Sequence, residues 1–207
     1  MAKVRDFTVV LMRSCATEWD ECGRLVGSSD LPVCDAGRVR VEQALDAAGP
    51  FNLDVVFCGP DEGSVQIGQM LAAATNARLR TLESLGEIHL GLWEGLRESQ
   101  LADRFPTAFR QWQQDPSSVL VPGGESFVSA RDRIVDGLMK AMERAKSKDT
   151  RIGVVVRPMA WGMLRCWLGA MPCGRFWEVL QDAPLLVRHE VDLGQLMSAA
   201  EPSNVEP

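Results

Sequence analysis

A chain of 207 residues with 46% hydrophobic and 24% charged residues is long enough for one domain with a sizeable core, and its composition excludes a disordered, collagen-like or coiled-coil protein. A formal net charge of -6, from 28 acidic and 22 basic residues, argues against a nucleic-acid backbone or an anionic membrane as the main partner unless a local basic patch reverses it. There is no Tyr, and the only histidines are His89 and His189, too few for a His-rich metal site.

The chain opens on Phe7 to Met12, a short apolar run rich in β-branched residues, as in a strand buried on both faces. Its six apolar residues before Arg13 are too few for a signal peptide, and no stretch approaches the ~20 apolar residues of a membrane span, so a cytoplasmic protein is expected. Gly23 to Pro32 reads as loop. Val39 to Ala48 reads as helix, Leu53 to Cys58 as a second buried strand ended by Gly59-Pro60, and Glu62 to Thr75 as helix. Leu96 to Asp115 is helical with a break or fresh start at Pro106.

Residues 116 to 124 form a loop leading to Gly123-Gly124-Glu125-Ser126 and a long amphipathic helix to about Lys148. Lys140, Arg144, Lys146 and Lys148 crowd its last turns, which suits the helix dipole. Ile152 to Val156 is a third buried strand, followed by Arg157-Pro158 and an apolar helix, Met159 to Leu168. Leu185 to Val191 alternates like an edge strand. Residues 1–197 are expected to form one domain and 198–207 a disordered tail. Alternating strand and helix predicts an α/β fold with a largely parallel sheet. Ligands in such sheets sit beyond the carboxyl ends of the strands, which draws Arg13, Cys58-Gly59-Pro60 and Arg157 to one site. Cysteines 15, 22, 34, 58, 166 and 173 have no paired CxxC spacing; reduced thiols are expected, and neither a metal nor a cofactor.

These positions carry a resemblance. Leu11-Met12-Arg13-Ser14-Cys15-Ala16-Thr17-Glu18-Trp19, followed by Gly23-Arg24-Leu25-Val26-Gly27-Ser28-Ser29-Asp30-Leu31-Pro32, is similar to the opening of the histidine phosphatase superfamily, the phosphoglycerate-mutase-like proteins, which reads LVRHGETEWN and then GRxQGxxDxPL. Leu85-Gly86-Glu87, Gly91-Leu92-Trp93-Glu94-Gly95-Leu96 and Pro122-Gly123-Gly124-Glu125-Ser126 continue the match, which covers about residues 6 to 190. The resemblance implies a three-layer α/β/α sandwich with a mostly parallel sheet. It also implies phosphoryl transfer onto a histidine, with two arginines and a second histidine around the phosphoryl group and a carboxylic acid protonating the leaving group.

Carried over position by position, the nucleophile falls on Ser14, the arginine before it on Arg13, the second arginine on Gly63, the second histidine on Arg157 or Pro158, and the acid on Glu87. A serine needs a base beside it, because its hydroxyl is protonated at neutral pH. The reading that follows is a catalytically inactive member, which binds a phosphorylated small molecule or a protein partner through Arg13, Ser14, Cys15, Glu87, and Arg157 or Pro158. A homodimer is implied by the resemblance alone.

Two alternatives stand beside it. One is a phosphatase with chemistry rerouted through Cys15, Ser14 or His89: Arg13 would lower the Cys15 pKa, and His89, two residues from Glu87, would share its face in extended backbone. The other is a purely structural or assembly role, with Arg13 and Arg157 neutralised by Asp61, Glu62 or Glu87. Cys34 to Arg40 has cysteine-phosphatase spacing but follows a polar loop and reads as a helix start. Leu186 to Glu190 mimics the nucleophile motif inside a strand. Trp93, Trp161, Trp167 and Trp177 read as core, Trp161 being the one placed to wall the pocket.

Overall fold

The computed structural model describes residues 6–48, 52–145, 151–181, 184–192 and 194, so the expected tail at 198–207 lies outside the described residues. Strand β1 (Asp6–Arg13) is followed by a single helical turn, α1 (Glu18–Glu21), and by α2 (Asp35–Ala48). Strand β2 (Val55–Cys58), α3 (Glu62–Thr75) and β3 (Arg78–Thr81) complete the first half. The second half is α4 (Glu98–Arg104), α5 (Pro106–Gln114), α6 (Phe127–Arg144), β4 (Arg151–Val156), α7 (Pro158–Leu168), α8 (Phe176–Leu180) and β5 (Leu186–Asp192).

The strands form one sheet in the order β3-β2-β4-β1-β5, parallel except for β5, which runs antiparallel to β1. Period-two alternation sends the strand side chains into two cores. Phe7, Val9 and Leu11 join Val55, Phe57, Ile152, Val154 and Val156 under α6, α7 and α8. Val10 and Met12 join Val56, Cys58 and Val155 under α2 and α3. The result is a three-layer α/β/α arrangement. Burial of both faces explains why these strands read as continuous apolar runs. Among the described residues no helix is long and apolar enough to cross a membrane.

Several boundaries differ from expectation. Helix α2 begins at Asp35 rather than Val39, because Cys34 Sγ accepts from the Gly37 amide (3.4 Å), the helix-start role expected of Cys34. The break at Pro106 holds, with Pro106 in the first turn of α5, where its missing N–H costs nothing. Strand β3 and α8 have no strong signal: β3 reads Arg-Leu-Arg-Thr and offers one apolar residue to the core. Helix α6 buries Phe127, Ala130, Ile134, Leu138 and Met142 on one stripe; Lys146 and Lys148 lie outside the described residues. Trp93 is fully buried and packs its ring against Phe105, Phe109 and Trp112, as a core tryptophan.

The segment from Leu82 to Leu96 has little regular structure and is held by turns. Gly91 adopts φ +48°, and a Cβ there would strike Pro122 O and Gly124 N of the Gly-Gly-Glu-Ser turn, where Leu92 N donates to Pro122 O (3.1 Å) and Glu125 N to His89 O (2.8 Å). A left-handed φ and a backbone clash together predict that Gly91→Ala costs about 2 kcal/mol or more, read by urea denaturation against wild type.

Candidate active site

The strand register brings the site together. Arg13 lies opposite Val156, and Cys58 opposite Val155, and the ladder runs one residue further: Ser14 N donates to Val156 O (2.8 Å) and Gly59 N to Val155 O (3.0 Å). Ser14, Gly59 and Arg157 therefore leave the sheet at one level. Ser14 is 2% exposed, and its Oγ is buried with no hydrogen-bond partner among the described residues. Arg157, also 2% exposed, directs Nη2 to Asp20 Oδ2 (3.5 Å), while its Nε and Nη1 have no hydrogen-bond partner among the described residues. Asp20 Oδ2 also accepts from Thr17 N and Thr17 Oγ1 (both 2.7 Å), which anchors this carboxylate at the start of α1.

Asp61 and Glu62, expected to neutralise the arginines, form no ion pair with them among the described residues. Asp61 caps α3 by accepting from Ser64 N (2.8 Å), and Glu62 Oε1 accepts from Gln66 Nε2 (2.9 Å). Asp20 was not among the expected site residues, although Thr17-x-x-Asp20 has the spacing of a capping box, the local signal that fixes it beside the strand end. Pro158, expected at the ligand-binding site as one of two candidates for the second-histidine position, opens α7 directly after Arg157 and lines the cleft above the strand ends.

Glu87 lies across the sheet end from these groups. Its Oε2 accepts from Met159 N (2.7 Å), and its Oε1 from Ala160 N (2.8 Å) and Ile88 N (2.9 Å). Helix α7 has no side-chain cap from its own flank; Glu87 supplies the missing acceptor and meets the positive end of the helix dipole. Burial nonetheless pushes its carboxyl up to about 7, opposed by the Ile88 amide, the Arg157 charge and the Met159 and Ala160 amides. Arg133 grips the strand of backbone that carries it, donating to Ser84 O (2.9 Å), Gly86 O (3.0 Å) and Glu87 O (3.3 Å) while paired with Glu125 (2.8 Å).

Above the strand ends is a cleft of about 510 Å³ lined by Arg13, Ser14, Asp20, Arg40 and Gln43 among others. Arg40, missed in sequence, comes from the first turns of α2 and pairs with Glu21 (3.1 Å). Gly63, where the resemblance puts a second arginine, is buried in the first turn of α3. A Cβ there would lie 3.2 Å from Leu31 O and 3.4 Å from a Val33 methyl. The loop that covers it is tied down by Glu62 N to Asp30 Oδ1 (2.7 Å) and Val33 N to Gln66 Oε1 (3.1 Å), so no arginine fits without moving that loop.

Three expectations are corrected. Cys15 is 5% exposed, and burial raises its thiol pKa despite the opposing charges of Arg13 and Arg40; desolvation exceeds the cationic field, so this is not an activated thiolate. His89 does not share a face with Glu87. Its Nδ1 lies 2.9 Å from both Ser28 Oγ and Glu94 Oε1, in a knot around Glu94, whose own burial is outweighed by the Leu90 and Ser28 amides, His89 and Ser29, which hold it at about 2. Trp161 is fully buried in the core with Arg165 over its ring (5.6 Å), and does not line the cleft. His189 stands on β5 opposite Val9, away from the strand ends.

The model of the histidine phosphatase superfamily, branch 1, matches residues 9–196. The chain belongs to this superfamily. Among its similar curated relatives, Phosphoserine phosphatase 1 of Hydrogenobacter thermophilus is 25% identical over 170 residues, 82% of this chain and 80% of that protein. Acid phosphatase of Mycobacterium tuberculosis is 27% identical over 148 residues, 70% and 68% of the two chains. The structure of Bacillus stearothermophilus YhfR agrees with a TM-score of 0.79 at 21% identity, over 90% of this chain and 92% of its own, and confirms the fold. Of the residues expected at the site, Arg13, Ser14, Cys15 and Pro158 line the cleft, while Arg157 and Glu87 are buried beneath the strand ends and do not line it.

Glu87 gives this site a pH signature. With the folded carboxyl at about 7 against 4.5 in the unfolded chain, the native state holds a proton that the unfolded state releases. The contribution of Glu87 is therefore fully present below 4.5 and lost as pH rises through about 7. The difference in unfolding free energy between wild type and Glu87→Gln is expected to fall by roughly 3 kcal/mol from pH 4.5 to 8, as urea titrations at each pH would show.

Proposed function

We propose that this histidine-phosphatase-like protein binds a phosphate-bearing ligand at the strand-end site and does not hydrolyse it. The observation that carries the reading is the state of Ser14 and Arg157. Among the described residues, Ser14 Oγ stands past the end of β1 without a base or any other hydrogen-bond partner, and Arg157, next to it across the strand ends, holds buried Nε and Nη1 without an acceptor. A serine hydroxyl without a base is a weak nucleophile, whereas guanidinium N–H groups and a hydroxyl suit phosphate oxygens. Arg13 and Arg40 add positive charge at the mouth, and Asp20 offsets part of it. The ligand is a phosphorylated small molecule or the phosphorylated side chain of a protein partner. A homodimer and a cytoplasmic location belong to the same proposal.

The expected result is binding of inorganic phosphate, measured by isothermal titration calorimetry, that Arg157→Met weakens by about tenfold or more. Removing one partner of a buried ion pair costs about 3–5 kcal/mol, so near-UV circular dichroism of Arg157→Met, and of D20N/R157M in which both partners are neutral, separates lost binding from lost fold. Absence of any phosphate binding in wild type would instead support the structural or assembly role.

A second reading has its own support: the named relatives are phosphatases, and Glu87, with its carboxyl at about 7, has the pKa of a general acid at neutral pH. In that reading Ser14 carries the displacement, since Cys15 is a buried thiol with a raised pKa and His89 is held by Ser28 and Glu94. Assays with p-nitrophenyl phosphate and phosphoserine decide between the two. We expect no turnover above buffer in wild type; a rate that disappears in both Ser14→Ala and Glu87→Gln would replace the first reading with the second.

A further inference from the structure

A second cleft, which shares no lining residue with the strand-end site, lies on the far side of segment 82–87, between β3 and α6, with a volume of about 450 Å³. Helix α6 lines it with one continuous face, Arg133, Asp136, Gly137, Lys140, Ala141 and Arg144, the i, i+3, i+4 spacing of a single stripe. The opposite wall is Arg80 of β3, with Phe57, Leu82 and Ser84 beneath. Helix and wall meet closely at Gly137, where a Cβ would strike the Ser84 side chain.

The charges here are unbalanced. Arg133 is neutralised by Glu125 and three backbone carbonyls. Arg80, Lys140 and Arg144 are exposed, and none is ion-paired to an acid among the described residues. Asp136 is the one acidic side chain in the lining. The helix dipole accounts for Arg144 in the last turn, but not for Lys140 one turn earlier, which has a like charge at i+4 and Asp136 at i−4. Nor does it account for Arg80, which reaches the same cavity from a different element. In a chain of net charge -6, three cations and one acid line a cleft with an apolar floor, and none of the three cations is ion-paired among the described residues.

We propose that this cleft binds an amphipathic organic anion: an aryl or acyl group carrying a phosphate, sulfonate or carboxylate. The volume lies in the range of small-molecule sites. The apolar body would rest on Phe57, Leu82 and Ala141 and on the methylene stems of the basic side chains, whose charged ends stay in water and meet the anionic group at the rim. The site shares no lining residue with the strand-end phosphate site and takes a ligand with an apolar body.

Fluorescence titration of the full chain with 1-anilinonaphthalene-8-sulfonate tests this, since the probe has an aromatic body and one anionic group. Saturable one-to-one binding is expected, weakened about tenfold or more both in Arg80→Glu and in the doubly substituted K140Q/R144Q, which keeps long polar stems at exposed positions. The affinity of R13Q/R40Q is expected to match wild type, and inorganic pyrophosphate is expected to displace the probe only at far higher concentration. Affinity unchanged in K140Q/R144Q, equal displacement by pyrophosphate, or no saturable binding in wild type would each overturn the proposal. Near-UV circular dichroism confirms that each variant is folded.

Discussion

The Glu87 carboxylate against the first turn of α7 is the contact on which the site depends. A helix that starts with Pro158 directly after a buried strand has orphan amides and no local side chain to accept from them. Glu87 reaches those amides from a segment that has almost no regular structure, so one buried carboxylate fixes where α7 begins and how the Leu82 to Leu96 segment lies. Arg133 reinforces the arrangement from behind by taking three carbonyls of the same segment, and the turn at Gly91 closes it on the Gly-Gly-Glu-Ser loop. The carboxyl is held by three amides yet raised to about 7, because removal from water outweighs the bonds it gains.

The electrostatics of the strand ends follow from two buried choices. Arg157 is a fully desolvated cation, which a protein tolerates only with a partner; Asp20 provides that partner, itself held by Thr17. The ion pair engages Nη2 alone and leaves Nε and Nη1 without an acceptor among the described residues. Nearby, the loop carrying Asp30 to Val33 sits on Gly63, and it is the absence of a side chain there that lets it approach. The site therefore concentrates its cations on the β1 and β4 sides and closes the α3 side with backbone.

Much of this architecture was legible in the sequence for a simple reason. Strands buried on both faces appear as runs such as Phe7 to Met12 and Ile152 to Val156, and the motifs around Arg13, Glu87 and Gly123 keep the order and spacing of the superfamily. Strand β3 was not legible, since an edge strand with two arginines and a threonine has no apolar period to detect. Asp20 was half legible: the capping spacing with Thr17 is local, but its ion pair spans from α1 to the end of β4. For Cys15 and His89 the error was one of environment. Proximity to Arg13 suggested a lowered thiol pKa, and proximity to Glu87 a shared face, yet burial and the Glu94 knot decide both.

Sequence by itself determined the superfamily, the two-faced burial of the strands, the chemical inventory of the strand ends and the absence of a histidine beside Arg13. These are properties of residue type and spacing, which local physics translates directly. Tertiary structure alone decided which charges neutralise one another, that Gly63 is covered, that Arg40 faces the cleft, and that Arg80 joins Lys140 and Arg144 around a second cavity. Each of these depends on groups distant in the chain meeting at a few ångströms, and both Coulomb energy and desolvation are set by that distance and by burial rather than by order along the sequence.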